Sequence, residues 1–214
     1  MKRLFFAACF LAAVCGNARA SALDVVIARM LGTITVRAEP SMIEGRLSGC
    51  QYVFSALTQD WTYRKGQYLK VDGSISIINT GSNVGTTLKV VVNEVVVSPQ
   101  EGFKLVPAAP SRAYLIGNDY QTNLSAFVAS TPSDTPGALF SIFNIDPTLA
   151  IMAAAAQTNK VTVAFNKAGG DTDILLPLEL DVKATSDEGV RTHSPETGAN
   201  FANCISALVK GDGG

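Results

Sequence analysis

With 214 residues, 47% of them hydrophobic, and a formal net charge of −1, the chain is long enough to bury a sizeable core, and a single domain is expected. No Lys or Arg cluster is dense enough to displace many counterions from a polyanion, so nucleic acid is excluded as an expected partner. No stretch reaches the roughly 18 consecutive apolar residues of a membrane-spanning helix, so the processed chain is expected to carry no transmembrane segment.

The chain opens MKRLFFAACFLAAVCGNARASA, in which Lys2 and Arg3 precede an uninterrupted apolar run from Leu4 to Val14 and small residues stand at Ala18, Ala20 and Ala22. That pattern predicts a secretory signal peptide over residues 1–20, with cleavage after Ala20 or after Ala22 fitting equally well. Cys15 suggests lipidation, but Val14 directly before it and Ala12 make a poor lipidation box, so ordinary cleavage is expected. Removing residues 1–20 takes away Lys2, Arg3 and Arg19 and no acid. Fourteen basic side chains then face eighteen acidic ones, and the exported domain, residues 21–214, is mildly acidic at −4.

Of the four cysteines, Cys9 and Cys15 lie in the leader, which leaves Cys50 and Cys204. Thiols exported from the cytosol meet an oxidising environment, where two and only two cysteines pair. A Cys50–Cys204 disulfide is therefore expected. By chain entropy, closing so long a loop contributes at most about 5 kcal/mol.

After the leader, GTITVR (residues 32–37) alternates apolar and polar side chains at the period of a half-buried strand. A second extended piece is expected from about Met42 to Leu57. There Cys50, Tyr52, Phe54 and Ala56 face one way and Gln51, Val53 and Ser55 the other, which turns Cys50 inward. QYLKVDGSISIIN (67–79) reads as strand interrupted by a hairpin turn at Asp72-Gly73. Residues 80–85 read as a polar turn. TTLKVVVNEVVV (86–97) reads as a central strand covered on both faces, or as two strands broken at Asn93-Glu94. Pro99, Pro107 and Pro110 predict loop around a short FKLV segment, and further short strands are expected over 113–117, 124–130 and 138–145.

The last third changes character. Asp146-Pro147 before TLAIMAAAAQ predicts a helix near 147–157 with Asp146 as its N-cap. KVTVAFN (160–166) and DILLPLELDV (173–182) read as strands, the second at a sheet edge because Pro177 cannot donate to a ladder. Residues 183–193 read as mobile loop. Ser194-Pro195-Glu196 offers a cap for a C-terminal helix whose Phe201, Cys204, Ile205 and Leu208 share one face, with Gly211 as its stop. The fold class expected is therefore mainly β, sandwich-like and mostly antiparallel, with one helix near 147–157 and a C-terminal helix tied to an early strand.

Residues that could carry chemistry are few. His193 is the only histidine, and with both cysteines bridged the chain offers too few nitrogen or sulfur ligands for a zinc site. There is no G-x-S-x-G elbow, and the glycines of GSNVG (81–85) and AGG (168–170) lack the Lys-Ser/Thr continuation of a phosphate loop. Asp171 with Asp173, Glu179 with Asp181, and Asp187 with Glu188 are carboxylate pairs that could serve a hydrolase or share a cation, but none has calcium-loop spacing. Asn123-Leu124-Ser125 matches a glycosylation sequon. No cofactor and no metal are expected, and no catalytic residues are assigned.

The most unusual composition lies in QDWTYRKGQY (59–68), which holds the only tryptophan. Trp, Tyr and Arg combine large area with few rotors and a polar handle, which favours them at contact sites. Asp60, Trp61, Tyr63 and Arg64 are the candidate binding residues, with Asp60 and Arg64 expected to pair. The competing expectation is that Trp61 and Tyr63 are half-buried between two strands. The function expected is a non-catalytic binding module of the periplasm or extracellular space, its partner another protein or a surface ligand. The alternatives are a subunit of a surface assembly, an inhibitor of a secreted enzyme, and a carboxylate-dependent hydrolase.

Overall fold

The computed structural model describes residues 22–79, 84–98, 102–117, 121–122 and 126–210. The leader with its cleavage sites and Cys15, the sequon at Asn123, most of the 80–85 turn and the Gly211 stop lie outside the described residues. The chain is mainly antiparallel β, as expected. Strands β1 (Gly32–Ile43), β2 (Arg46–Asp60), β3 (Gln67–Asn79), β4 (Val84–Ser98), β5 (Gly102–Pro107), β7 (Phe127–Pro132) and β8 (Ala138–Asn144) form a large sheet in the order β1-β2-β3-β4-β8-β7, with β5 also paired to β4. A smaller sheet runs β10 (Asp173–Glu179), β9 (Lys160–Asn166), β6 (Ala113–Ile116), and β11 (Val182–Thr185) pairs β12 (Arg191–His193). Among the described residues three helices flank them: α1 (Ala22–Arg29), α2 (Ile145–Thr158) and α3 (Glu196–Lys210).

The period-two pattern of β2 places its side chains as expected. Cys50, Tyr52, Phe54 and Ala56 are buried, while Gln51, Val53 and Ser55 between them are half-buried on the other face. With Val71 and Ile75 of β3 and Leu88 and Val90 of β4 they form the inner face of the large sheet. That face packs on Leu115, Val163, Phe165, Leu176 and Leu178 of the small sheet in one continuous core. Apolar burial of this kind contributes about 25 cal/mol per Å² removed from water, and it is what holds the two layers together.

At Cys50 the core meets α3. The Cys50–Cys204 disulfide is present, with Cα atoms 5.9 Å apart, and Phe201, one turn earlier on α3, stacks on Tyr52 with ring centroids 4.1 Å apart. Ile205 and Leu208 pack on the same core, so the helix face read from the sequence is the face that is used. Ser194 Oγ accepts the backbone N–H of Glu196 at 3.3 Å, consistent with the expected cap.

Several expectations are corrected. The second extended piece is broken at Glu44-Gly45, both at positive φ, which close a tight two-residue hairpin between β1 and β2. Asp72-Gly73 does not turn. β3 runs straight through it, because Gly73 lies opposite Phe54 and leaves the space that the Phe54 ring occupies. β4 is one strand buried mainly on one face, Leu88, Val90 and Val92 alternating with Lys89, Val91 and Asn93. At Val92 it changes neighbour from β8 to β5: its N–H reaches Gly137 O and its C=O takes Ala108 N–H.

Helix α2 starts at Ile145 after Asn144, so Asp146 lies in its first turn and is not the cap. Residues 183–193 form the β11–β12 hairpin, latched to the edge of β1. There Thr185 Oγ1 donates to Ile34 O at 2.9 Å and Arg191 Nε to Thr33 O at 2.9 Å. Helix α1 has no counterpart among the expected elements. Its Ile27 packs with Leu57 and Val95 in a small satellite core on the outer face of the large sheet. Pro177 does lie on an edge, β10 being the outer strand of the small sheet.

Candidate functional site

The connection between β2 and β3 is the stretch singled out from the sequence, and the structure separates its residues by role. Asp60 ends β2 only 3% exposed, and its Oδ1 accepts the Tyr63 N–H at 2.7 Å. This side-chain-to-backbone bond shapes the turn. Gly66 N–H donates to Asp60 O at 2.7 Å, and Lys65 and Gly66 at positive φ return the chain into β3. Arg64 does not pair with Asp60. Its Nη2 lies 2.8 Å from Glu94 Oε1 on β4, because Asp60 is already spent on the turn.

Tyr63 reaches away from the turn to residues 167–172, which join β9 and β10. Its hydroxyl donates to Thr172 O and accepts Thr172 N–H at 3.0 Å. Gly170 leaves room for this contact, since a Cβ there would stand 2.3 Å from the Tyr63 oxygen. Trp61 is the exception among the four: it is 71% exposed, with its indole N–H on Gln59 Oε1 at 3.3 Å. The ring rests against Gly66, where any Cβ would come within 2.7 Å of it. Trp61 is thus not half-buried between strands but displayed on a turn in which Asp60, Tyr63 and Arg64 are each tied down. Beside it lies a cleft of about 300 Å³ completed by Gln59 of the same stretch, by Pro177 and by Leu31, Leu57 and Leu176, the three leucines being ones that nothing in the sequence singles out.

The 167–172 turn connects this site to a buried polar network. Asn166, 4% exposed, accepts Ser111 N–H at 3.0 Å and Arg112 N–H at 2.8 Å through Oδ1, and its Nδ2 donates to Gly170 O at 2.7 Å. Arg112 in turn places Nε and Nη2 on Asp173 Oδ1 at 3.0 and 2.6 Å, and Tyr114 donates its hydroxyl to Asp173 Oδ2 at 2.7 Å. Hydrogen bonding to Asp173 raises the Arg112 pKa against the opposing effect of burial. Burial, aided by the bond to Asp173, pushes the Tyr114 phenol up to about 12.

The carboxylate pairs are accounted for differently. Asp173 is committed to Arg112 and Tyr114, and Asp171 accepts from the same guanidinium through its backbone oxygen at 2.9 Å, so the cation that the two share is Arg112. Asp181 and Glu179 flank the half-exposed His193, at 3.1 Å from Nδ1 and 3.9 Å from Nε2. Asp187 and Glu188 lie exposed in the turn between β11 and β12. Among the described residues no group of three His, Cys, Asp or Glu side chains is placed to hold a metal ion, and no helix is long and apolar enough to cross a membrane. No family model matches the chain, and no characterised protein or solved structure is significantly similar to it.

Proposed function

We propose that the chain is an exported, non-catalytic binding module whose contact site is the turn Asp60–Gly66, with Trp61 as its anchor. The observation that carries the reading is the contrast inside the turn. Asp60, Tyr63 and Arg64 are each held by a partner in the fold, whereas the largest side chain in the chain's repertoire stands in water. A rigidly presented aromatic beside a shallow cleft loses little conformational freedom when a partner covers it. The disulfide fits an oxidising compartment, which supports export. The partner is another protein or a surface ligand that buries the indole.

Because Trp61 is the only tryptophan, 5-fluorotryptophan incorporated into this chain gives a single 19F resonance that reports on this site alone. Titrating the mature, oxidised, fluorine-labelled protein with fractions of its own exported proteome is expected to shift that resonance and to protect it from a soluble paramagnetic quencher. Fractions that bind the protein while leaving Trp61 open to the quencher would contradict the reading.

A second reading, a subunit of a surface assembly, draws on β7. Every residue of Phe127–Pro132 is exposed, none is charged, and among the described residues the strand is paired on one side only, to β8. An uncharged free edge is a template for another strand. Sedimentation over a wide concentration range tests it, oligomers supporting the assembly reading and a constant monomer opposing it.

A further inference from the structure

We propose that the cleft between β6–β9 and β7–β8 is a second binding site, for a neutral, polyhydroxylated small molecule such as a monosaccharide. The cleft has a volume of about 360 Å³, within the range of small-ligand sites. One wall is the β7–β8 ladder, where Ser130 lies directly opposite Ser141 and Phe127 directly opposite Phe143. Residues directly opposite in a ladder share a face. The wall therefore carries a pair of hydroxyls next to an aromatic pair, whose rings meet edge to face at 6.0 Å. Phe127, half exposed, lines the cleft. The other wall is the segment Ser111–Ala113, fixed by Asn166.

Ser141 marks this space as more than a packing defect. It is fully buried on the inner face of the sheet, and its Oγ has no hydrogen-bond partner. An unpaired buried hydroxyl is destabilising, and alanine would fill the position without that penalty. A hydroxyl both donates and accepts, so its natural complement is another hydroxyl, and an aromatic ring beside it suits the C–H face of a sugar.

The charges set the ligand's neutrality. Among the described residues Arg112 is the cleft's only ionisable lining residue, and its guanidinium is neutralised by two hydrogen bonds to Asp173. Neither an anionic nor a cationic ligand finds an unpaired counter-charge among them. The site is separate from Trp61, so it can be tested without the turn.

The test uses the isotopically labelled, oxidised mature chain and follows backbone amide shifts on adding glucose, mannose, galactose and N-acetylglucosamine, with glucuronate and glucosamine as charged controls. Each is taken to about 50 mM, where a dissociation constant near 1 mM saturates the site. At least one neutral sugar is expected to move the amides of Phe127, Ser130 and Ser141 saturably, the charged controls not, and Trp61 fluorescence to stay constant. Ser141→Ala is expected to weaken that binding about tenfold while the free protein melts no lower than the wild type. Phe127→Ala is expected to weaken it similarly. The proposal is overturned if none of the neutral sugars moves these amides, if a charged control binds as tightly, or if both variants bind like the wild type. A response at Trp61 in place of β7–β8 would also overturn it, assigning the sugar to the turn.

Discussion

Tyr52 and Phe201 stack with their ring planes 18° apart, two residues and one helical turn from the Cys50–Cys204 bridge on their respective elements. The covalent and the aromatic contacts thus fasten α3 to β2 at adjacent points, and the helix covers the end of the core that the small sheet leaves open.

Breaking the bridge should therefore loosen the whole domain and not only its last helix. The Cys50→Ala, Cys204→Ala double variant is expected to lose up to about 5 kcal/mol of unfolding free energy in urea. Phe201→Ala, with the disulfide intact, is expected to lose about 3 kcal/mol. Equal stability of the reduced and oxidised proteins would contradict the role given to the bridge.

Gly73 gives a sharper local test. A Cβ there would stand 2.2 Å from Lys89 O and 2.5 Å from the Phe54 ring, so Gly73→Ala must displace backbone or a core aromatic. A loss of about 3 kcal/mol or more is expected. Gly45→Ala, where nothing lies within 4 Å and only the positive φ is strained, is expected to cost about 1 kcal/mol. Urea melts of both variants check the order, and a Gly73→Ala protein as stable as Gly45→Ala would disprove the close approach.

Alkaline stability follows from the two buried phenols. Burial pushes Tyr52 and Tyr114 up to about 12, above their ordinary value of 10.0. In both the folded state holds the proton more tightly than the unfolded chain. Their contribution is thus complete below pH 10 and is lost as pH rises toward 12. Unfolding free energy measured from pH 9 to 12 is expected to fall with pH in the upper part of that window. Tyr114→Phe is expected to flatten the fall, and a profile unchanged by that variant would contradict it.

Asn166 holds the wall of the polar cleft to the 167–172 turn. Asn166→Ala removes bonds to Ser111, Arg112 and Gly170 and leaves part-buried backbone groups without those partners. It is expected to cost about 3 kcal/mol, and thermal melting checks it. A shift in melting temperature no larger than that of an ordinary surface substitution would show that the network carries no load.

The alternation of β2 was readable from sequence because that strand is buried mainly on one face and its periodicity is local. The cysteine pairing was readable from the count and from the oxidising compartment that the leader pattern leads one to expect. Asp72-Gly73 misled because turn chemistry is local, whereas the register that puts Phe54 over Gly73 is not. Helix α1 carries Leu23, Val26 and Ile27, with Met30 just past its end, at helical spacing, a signal that its position beside the leader obscured. The β11–β12 hairpin reads as loop because its anchors, Thr185 and Arg191, reach backbone about 150 residues earlier in the chain. The aromatic turn was visible by composition, but the partners of Tyr63 and Arg64 lie on other elements. The polar cleft, assembled from β6, β7, β8 and β9, has no linear signature at all.

The proposed function rests on Trp61 being displayed and not built in. Trp61→Ala is the most direct measurement. Unfolding free energy within about 1 kcal/mol of the wild type is expected, as for an exposed substitution, together with at least a tenfold loss of affinity for the partner that covers Trp61. A variant that loses several kcal/mol of stability, or one that binds that partner undiminished, would contradict the proposed function.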